Sequence, residues 1–333
     1  MNIAYLLEDT NIAGGIRVAA AQADALIGRG HHVTLITTGA PLTWRESRAE
    51  WQYVKALDAV DAKPFDFVVG TFWTTLESTF AIAGNRSVHL CQGYEGSFTA
   101  YRDLKSDIDT AYRLPIPKIT VSPHLVDICR QFYDDATYIG QIVDAIFYQQ
   151  RSAARAGVPR VLLVGPAQAD FKGVDIGYQA VRQARQRGAR FDLVRVSQWA
   201  PARDEPVDLA SEFHTALDTC EMAKLIASCD IFLGPSRAQE GFGLPAAEAM
   251  ASGVPTVLTE IPSFLSWDGV HDYALFVAEE DGPAVAEALV RLLGDYELQR
   301  RLATRGRELV EQFRAEKTAA RLESFFSERL QRR

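Results

Sequence analysis

The sequence predicts an α/β fold with two Rossmann-like, doubly wound parallel-sheet domains, and three observations carry that prediction. Short apolar runs that read as buried strands alternate with longer helical patterns along the chain, the pattern of a parallel sheet with helices on both faces. The 333 residues suit two domains at a prior of ~150 residues each. A polar, Ala/Arg-rich stretch at 149–157 precedes the clean apolar run Val161-Leu162-Leu163-Val164-Gly165 and suits a linker. The reading places one domain at 1–148 and a second at 149–314, with a final helix at 315–333.

The elements follow in order. Asn2 to Leu7 reads as a first buried strand, a helical pattern through Val18, Ala21, Ala25 and Leu26 ends at Gly30, and 32–37 is a second strand. A right-handed parallel crossover is the expected connection. Further strands are read at 65–70, 86–91, 119–121 and 136–139, with helical patterns at 76–83, 101–112 and 125–133. In the second half the strands are 161–165, 191–196, 231–233, 254–258 and 274–277. The helices there are 221–228, 246–251, 283–293, 297–313 and 315–330, and 259–263 reads as a loop at the sheet edge. No internal repeat appears beyond the two halves, and no low-complexity segment.

Composition sets the class. The hydrophobic fraction of 47% and charged fraction of 23% belong to a soluble globular protein. A formal charge of −8 argues against a general nucleic-acid binder. The start, Met1 to Thr10, lacks a basic region and meets Glu8 and Asp9 after one short apolar run, so it reads as a strand and not a signal peptide. No stretch approaches the ~20 apolar residues of a membrane span. Cys91, Cys129, Cys220 and Cys229 lack metal-type spacing, and free thiols in the cytosol are the expectation.

The chemistry concentrates in Asp230 to Val257, "DIFLGPSRAQEGFGLPAAEAMASGVPTV". The stretch reads as strand, glycine loop, helix, strand. Pro245 suits a first helical turn, and Gly253 stops the helix. Glycines let backbone approach a ligand, and a helix N-terminus favours an anion such as phosphate. Glu240 precedes the glycines and Glu248 lies about two turns further on. Carboxylates accept hydrogen bonds from paired hydroxyls, so each could hold a sugar or ribose diol. An ordinary strand–helix corner with a solvated Glu pair is the plain alternative.

The whole string resembles the signature of family-four retaining glycosyltransferases, which have the two-Rossmann GT-B fold. The resemblance implies a cleft between the domains, a donor-binding second domain, an acceptor-binding first domain and a C-terminal helix that crosses back onto the first. It makes Glu240 the acid on the donor sugar and Glu248 the acid on the ribose. The backbone of Gly241, Phe242, Gly243 and Leu244 would lie along the sugar and diphosphate. Gly14 and Gly15, between the first strand and helix, match a glycine pair that faces the donor phosphate, with Arg17 as an anion contact; a tight turn explains them equally well. In "GPAQADFKGVD", Lys172 matches the lysine that clamps the diphosphate, whereas Pro166 stands where the family has arginine. Arg17, Arg195 and Arg237 are the candidate replacements. Ser197 and Met222 match positions near the base. Three residues, Arg237-Ala238-Gln239, separate Pro-Ser from Glu240, where the family usually has two.

At the end of another strand stands "HLCQGYEGSF". His89, Gln92, Tyr94 and Glu95 resemble a bacterial surface-polysaccharide subgroup with a Gln-x-Tyr-Glu string, in place of the family's usual His-Asp pair. A core histidine and a helix-start acid are the plain alternative. The implied activity is retaining transfer of a hexosyl or deoxyhexosyl group from a nucleotide-diphosphate sugar to a glycan, glycolipid or small-molecule hydroxyl. No cofactor or metal is expected. Two rivals are an epimerase or phosphorylase on the same fold, and a nucleotide-binding module with weakened catalysis. The expected place is the cytoplasm. The tail Arg329, Arg332 and Arg333 reads as a solvated end, with contact to anionic lipid at the inner membrane face as the alternative.

Overall fold

The computed structural model describes residues 1–11, 14–149 and 157–333. The chain divides into two units, Met1–Ile142 with Phe313–Arg333, and Val143–Gln312. Each is a parallel sheet flanked by helices.

Unit 1 contains β1 (Asn2–Leu7), α1 (Gly14–Ile27), β2 (His32–Thr37), β3 (Glu50–Tyr53), β4 (Phe67–Gly70), α2 (Leu76–Ala83), β5 (Ser87–Cys91), α3 (Lys105–Tyr112), β6 (Lys118–Thr120), α4 (His124–Arg130) and β7 (Ala136–Tyr138). The strand order is β3-β2-β1-β4-β5-β6-β7, parallel throughout. The central strands are buried on both faces, so β1 and β4 read as unbroken apolar runs.

Unit 2 contains β8 (Arg160–Val164), α5 (Val174–Gln186), β9 (Asp192–Ser197), β10 (Glu212–Thr215), α6 (Thr219–Ala227), β11 (Ile231–Gly234), α7 (Leu244–Ala251), β12 (Thr256–Thr259), α8 (Pro262–Leu265), β13 (Leu275–Val277), α9 (Gly282–Gly294) and α10 (Tyr296–Val310). Its order is β10-β9-β8-β11-β12-β13. Val161, Leu163, Ile231, Leu233 and Val257 meet Ile176, Val181, Leu289 and Leu292 from the covering helices in one buried core.

The last helix, α11 (Ala315–Gln331), belongs to unit 1. Glu323 pairs with Arg29 and with His31 at 3.1 Å, Thr318 donates to the Gln141 carbonyl at 2.8 Å, and Phe326 packs on Phe67 with ring centroids 4.8 Å apart. Of the basic tail, Arg329 pairs with Asp135, and Arg333 donates to the Asp66 and Asn85 carbonyls. Residues just after Ile142 pack with unit 2. Tyr148 donates to the Val310 carbonyl at 2.7 Å, and Ser252 donates to the Phe147 carbonyl at 3.1 Å. Most of the stretch read as a linker, 150–156, lies outside the described residues.

Sequence pattern locates the central strands within a residue or two and misses one edge strand in each sheet. β3 (EWQY) and β10 (EFHT) each border a sheet, and their residues are half-buried or exposed. With one long side open to water, no apolar run is required of them. The pattern over 101–112 splits into a 3-10 segment, Thr99–Leu104, kinked at Tyr101, and α3. Part of the stretch read as loop at 259–263 folds into α8.

Candidate active site

In unit 2, the loops that follow the adjacent strands β8 and β11 meet. The first runs from Gly165 into the one-turn helix Asp170–Lys172 and ends at Gly173. Gly173 has φ of 60°, and a Cβ there would lie 1.8 Å from the Pro235 carbonyl oxygen. Only glycine allows this backbone shape and this approach of the two loops. The consequence is an ion pair between residues 68 apart in sequence. Lys172 Nζ stands 3.0 Å from Glu240 Oε1 and 2.7 Å from Oε2. Ser236 Oγ donates to Glu240 Oε2 at 3.1 Å. The Glu240 residue is only 5% exposed, so its carboxylate needs these charge-assisted partners.

Arg237 fastens the same two loops. Its backbone N–H donates to the Phe171 carbonyl at 2.7 Å, and its guanidinium reaches the Asp170 carbonyl, Asp175 at 2.8 Å, and Glu280. The three-residue spacer before Glu240 thus carries the clamp that locates Lys172.

Gly243 starts α7 with φ of 84°, and a Cβ there would sit 2.3 Å from the Phe264 ring. Pro245 occupies the first turn, where its missing N–H has no intrahelical acceptor to lose. Phe242 turns its side chain inward onto Trp267, ring centroids 4.9 Å apart. Gly241 is buried and Leu244 half-buried. Glu248 is fully buried within α7. Lys172, Ser236, Glu240, Gly243 and Pro245 line one small cavity with Phe264 behind it. Ser197, at the carboxyl end of β9, accepts from the Trp199 N–H at 3.1 Å, and Met222 is buried on α6; neither lines that cavity.

The cations weighed for the Pro166 position are all committed. Arg195 is fully buried on β9, with Nε 2.9 Å from Glu205 Oε1. Arg237 is the loop clamp. Arg17 is half-buried on α1 in unit 1 and is itself engaged.

In unit 1, Gly14 and Gly15 begin α1, and a Cβ at Gly15 would be 3.2 Å from Gln92 Nε2. Gln92 also reaches the Thr71 carbonyl at 3.4 Å. Glu95 is buried and accepts from the Tyr112 hydroxyl at 2.6 Å. Burial, reinforced by Glu8, pushes its carboxyl up to about 7 against that hydrogen bond. Tyr94 packs its ring on Tyr112 and Phe132, and its hydroxyl joins Asp109 and Lys105. His89 lies in the sheet core, its ring edge-on to Tyr112 at 4.9 Å, held well below its usual pKa by burial and by Lys118. Sequence reasoning named neither Tyr112 nor Ser236. Glycine directly after Lys172 is a visible signal for the loop turn, whereas Tyr112 has none, because its role depends on packing between β5 and α3.

Among the described residues no group of three or more His, Cys, Asp and Glu could hold a metal ion, and no helix is long and apolar enough to cross a membrane.

Two doubly wound parallel-sheet units in one chain define the GT-B architecture. The crystal structure of Anabaena Alr3699/HepE in complex with UDP-glucose has this fold with a TM-score of 0.79, at 15% identity, covering 98% of this chain and 100% of that one. Residues 158–295, most of unit 2, match the family model Glycosyl transferases group 1. The chain is similar to N-acetyl-alpha-D-glucosaminyl L-malate synthase of Bacillus anthracis, 37% identical over 106 residues, 32% of this chain and 28% of that protein. It is also similar to MMP alpha-(1->4)-mannosyltransferase of Mycolicibacterium hassiacum, 31% identical over 200 residues, 57% of this chain and 47% of that protein. The matched region spans less than half the length of each of these relatives.

Proposed function

We propose that the protein transfers a hexosyl or deoxyhexosyl group from a nucleotide-diphosphate sugar, held by unit 2, to a hydroxyl of a glycan, glycolipid or small molecule held by unit 1. The observation that carries this reading is the Lys172–Glu240 pair beside the glycine start of α7, with Glu248 buried in the same helix. The mannosyltransferase relative of Mycolicibacterium hassiacum and the UDP-glucose in the Anabaena structure support it. The Gln-x-Tyr-Glu string supports a place in surface-polysaccharide assembly on the cytoplasmic side.

The roles follow from charge. An incoming diphosphate competes with Glu240 for Lys172. As the ammonium turns to phosphate, the carboxylate is released to accept from the sugar hydroxyls. Lys172 and the first N–H groups of α7 then stabilise charge that grows on the leaving diphosphate. Glu248 accepts from the ribose diol. The acceptor attacks from the face the diphosphate leaves, the departing phosphate oxygen takes its proton, and configuration is retained. No step requires a metal.

A second reading, a nucleotide-binding module with weakened catalysis, is favoured by one observation: Pro166 lacks the second cation, and Arg195 and Arg237 are spent elsewhere. A thermal-shift screen of UDP-, GDP-, dTDP- and CMP-sugars, followed by turnover assays with NMR of the product anomer, separates the readings. A stabilising donor, consumed with retention when an acceptor is added, supports transfer. Binding without turnover supports the module. Formation of the epimeric sugar with water as the only acceptor identifies an epimerase, whereas the free sugar of unchanged identity is transfer to water. An inverted product overturns the retaining assignment.

A further inference from the structure

The carboxyl edge of the unit 1 sheet carries a group of rings that the donor chemistry does not use. Phe72 and Trp73 follow β4, and Phe98 and Tyr101 follow β5. Ring centroids lie 6.3 Å apart for Phe72 and Trp73, 6.2 Å for Phe72 and Tyr101, and 6.3 Å for Phe98 and Tyr101. All four side chains are half-buried, so part of each ring remains open to solvent, and Leu104 beside them is exposed. Trp73 Nε1 is itself buried and has no hydrogen-bond partner in the protein. Ligands of open α/β sheets bind at this edge.

Acidic residues follow two of the strands at this edge. Glu8 and Asp9 follow β1, and Glu95 follows β5. β1 lies beside β4, with Leu6 paired to Gly70, so the sheet brings Glu8 and Asp9 to the same edge as Phe72 and Trp73. The Tyr101 phenol is pushed up by burial first and then by Glu8, Glu95 and Asp9. The cations nearby are occupied or solvated: Arg17 is engaged, Lys105 pairs with Asp109 at 2.8 Å, and Arg102 is exposed.

We propose that Phe72, Trp73 and Tyr101, whose rings are inclined to one another by 49° and 66°, form an angled aromatic wall against which the C–H face of a neutral sugar ring packs, and that Glu8 and Asp9 admit uncharged acceptors and exclude anionic ones. A pyranose presents an apolar face and a rim of hydroxyls. The rings take the face, and the carboxylates, which only accept hydrogen bonds, take the hydroxyls. A phosphate or uronate would instead bring like charge against Glu8 and Asp9. This inference rests on the glycosyl-transfer reading and specifies its acceptor.

Saturation-transfer NMR on the full chain tests it, with methyl α-glucoside, methyl α-mannoside and methyl α-galactoside as neutral probes, and glucuronate and mannose 6-phosphate as charged ones. At least one neutral glycoside should bind and both charged sugars should not. Tyr101→Ala and Trp73→Ala should each weaken the neutral glycoside ~10-fold, the scale of one lost aromatic contact. Tyr101→Phe should keep the binding, and an unchanged nucleotide-sugar thermal shift certifies each fold. The double variant Glu8→Gln with Asp9→Asn should admit glucuronate. Equal binding of charged and neutral sugars by the unaltered protein, or full binding by Tyr101→Ala, overturns the proposal. Silence from every glycoside with a normal nucleotide-sugar shift overturns it too and leaves glycosyl transfer standing. Silence from glycosides and nucleotide-sugars together sinks both.

Discussion

In unit 1 the strands run β3-β2-β1-β4-β5-β6-β7, and in unit 2 β10-β9-β8-β11-β12-β13, so each unit's first strand lies third from one edge with the second and third strands outside it. The plan repeats, and the loops at the carboxyl edges do not. Each unit buries an acid there to the same degree: Glu95 and Glu240 are both 5% exposed. Glu240 has an ammonium and a hydroxyl against it. Glu95 has a phenol, and its carboxyl is pushed up to about 7. Equal burial is thus met by different partners, and at Glu95 the single phenol bond does not offset the burial that raises its pKa. Unit 2 presents a cation and a helix start, suited to a diphosphate, whereas unit 1 presents carboxyls and rings.

The strongest way to break this contrast is to remove its cation. Lys172→Ala should lower kcat by ~10²–10³, the cost of one preorganised charge partner in a transition state. Glu240→Gln should instead impair the intact donor and spare the bare nucleotide. Calorimetry with nucleotide and nucleotide-sugar, beside turnover, checks both. Normal turnover in Lys172→Ala would mean that another cation holds the diphosphate.

The next effect belongs to unit 1. Glu95 has a folded pKa of about 7 against an ordinary value of 4.5, so between those limits the native protein holds a proton that the unfolded chain releases. Its favourable contribution is complete below about 4.5 and is lost as pH rises through 7, a change of ~3 kcal/mol. His89, held low, has the opposite slope, with stability lost as pH falls below its ordinary value. Subtracting the urea-unfolding free energies of Glu95→Gln and the unaltered protein, from pH 4.5 to 8, isolates Glu95. The variant should gain relative stability as pH rises, and a flat difference would show that the Tyr112 bond keeps Glu95 ionised.

A smaller effect sharpens the assignment of α7. Glu248→Gln should weaken nucleotide binding by ~1–3 kcal/mol, the scale of hydrogen bonds to a charged group. Unchanged affinity in calorimetry would remove Glu248 from the nucleotide site. The smallest expected effect is none: with the diphosphate met by Lys172 and helix N–H groups, EDTA should leave turnover intact. Activity lost in chelator and restored by Mg²⁺ or Mn²⁺ would defeat the metal-free mechanism.

The α/β class, the central strands, and the glycine loop between β11 and α7 are legible in the chain before it folds. These depend on local forces. A strand buried on both faces must be apolar throughout, and a loop that needs left-handed backbone must place glycine there. Gly243 and Gly173 are such positions, and both are visible in the chain. It takes the folded chain to reveal that Lys172 and Glu240 touch, that Arg195 pairs with Glu205, and that Tyr112 donates to Glu95. Each of these pairs joins residues on different elements, and their contact depends on how the chain between them folds back. β3 and β10 belong with them. With one side open to water, their residues need no distinctive pattern, and only pairing with β2 and β9 makes them strands.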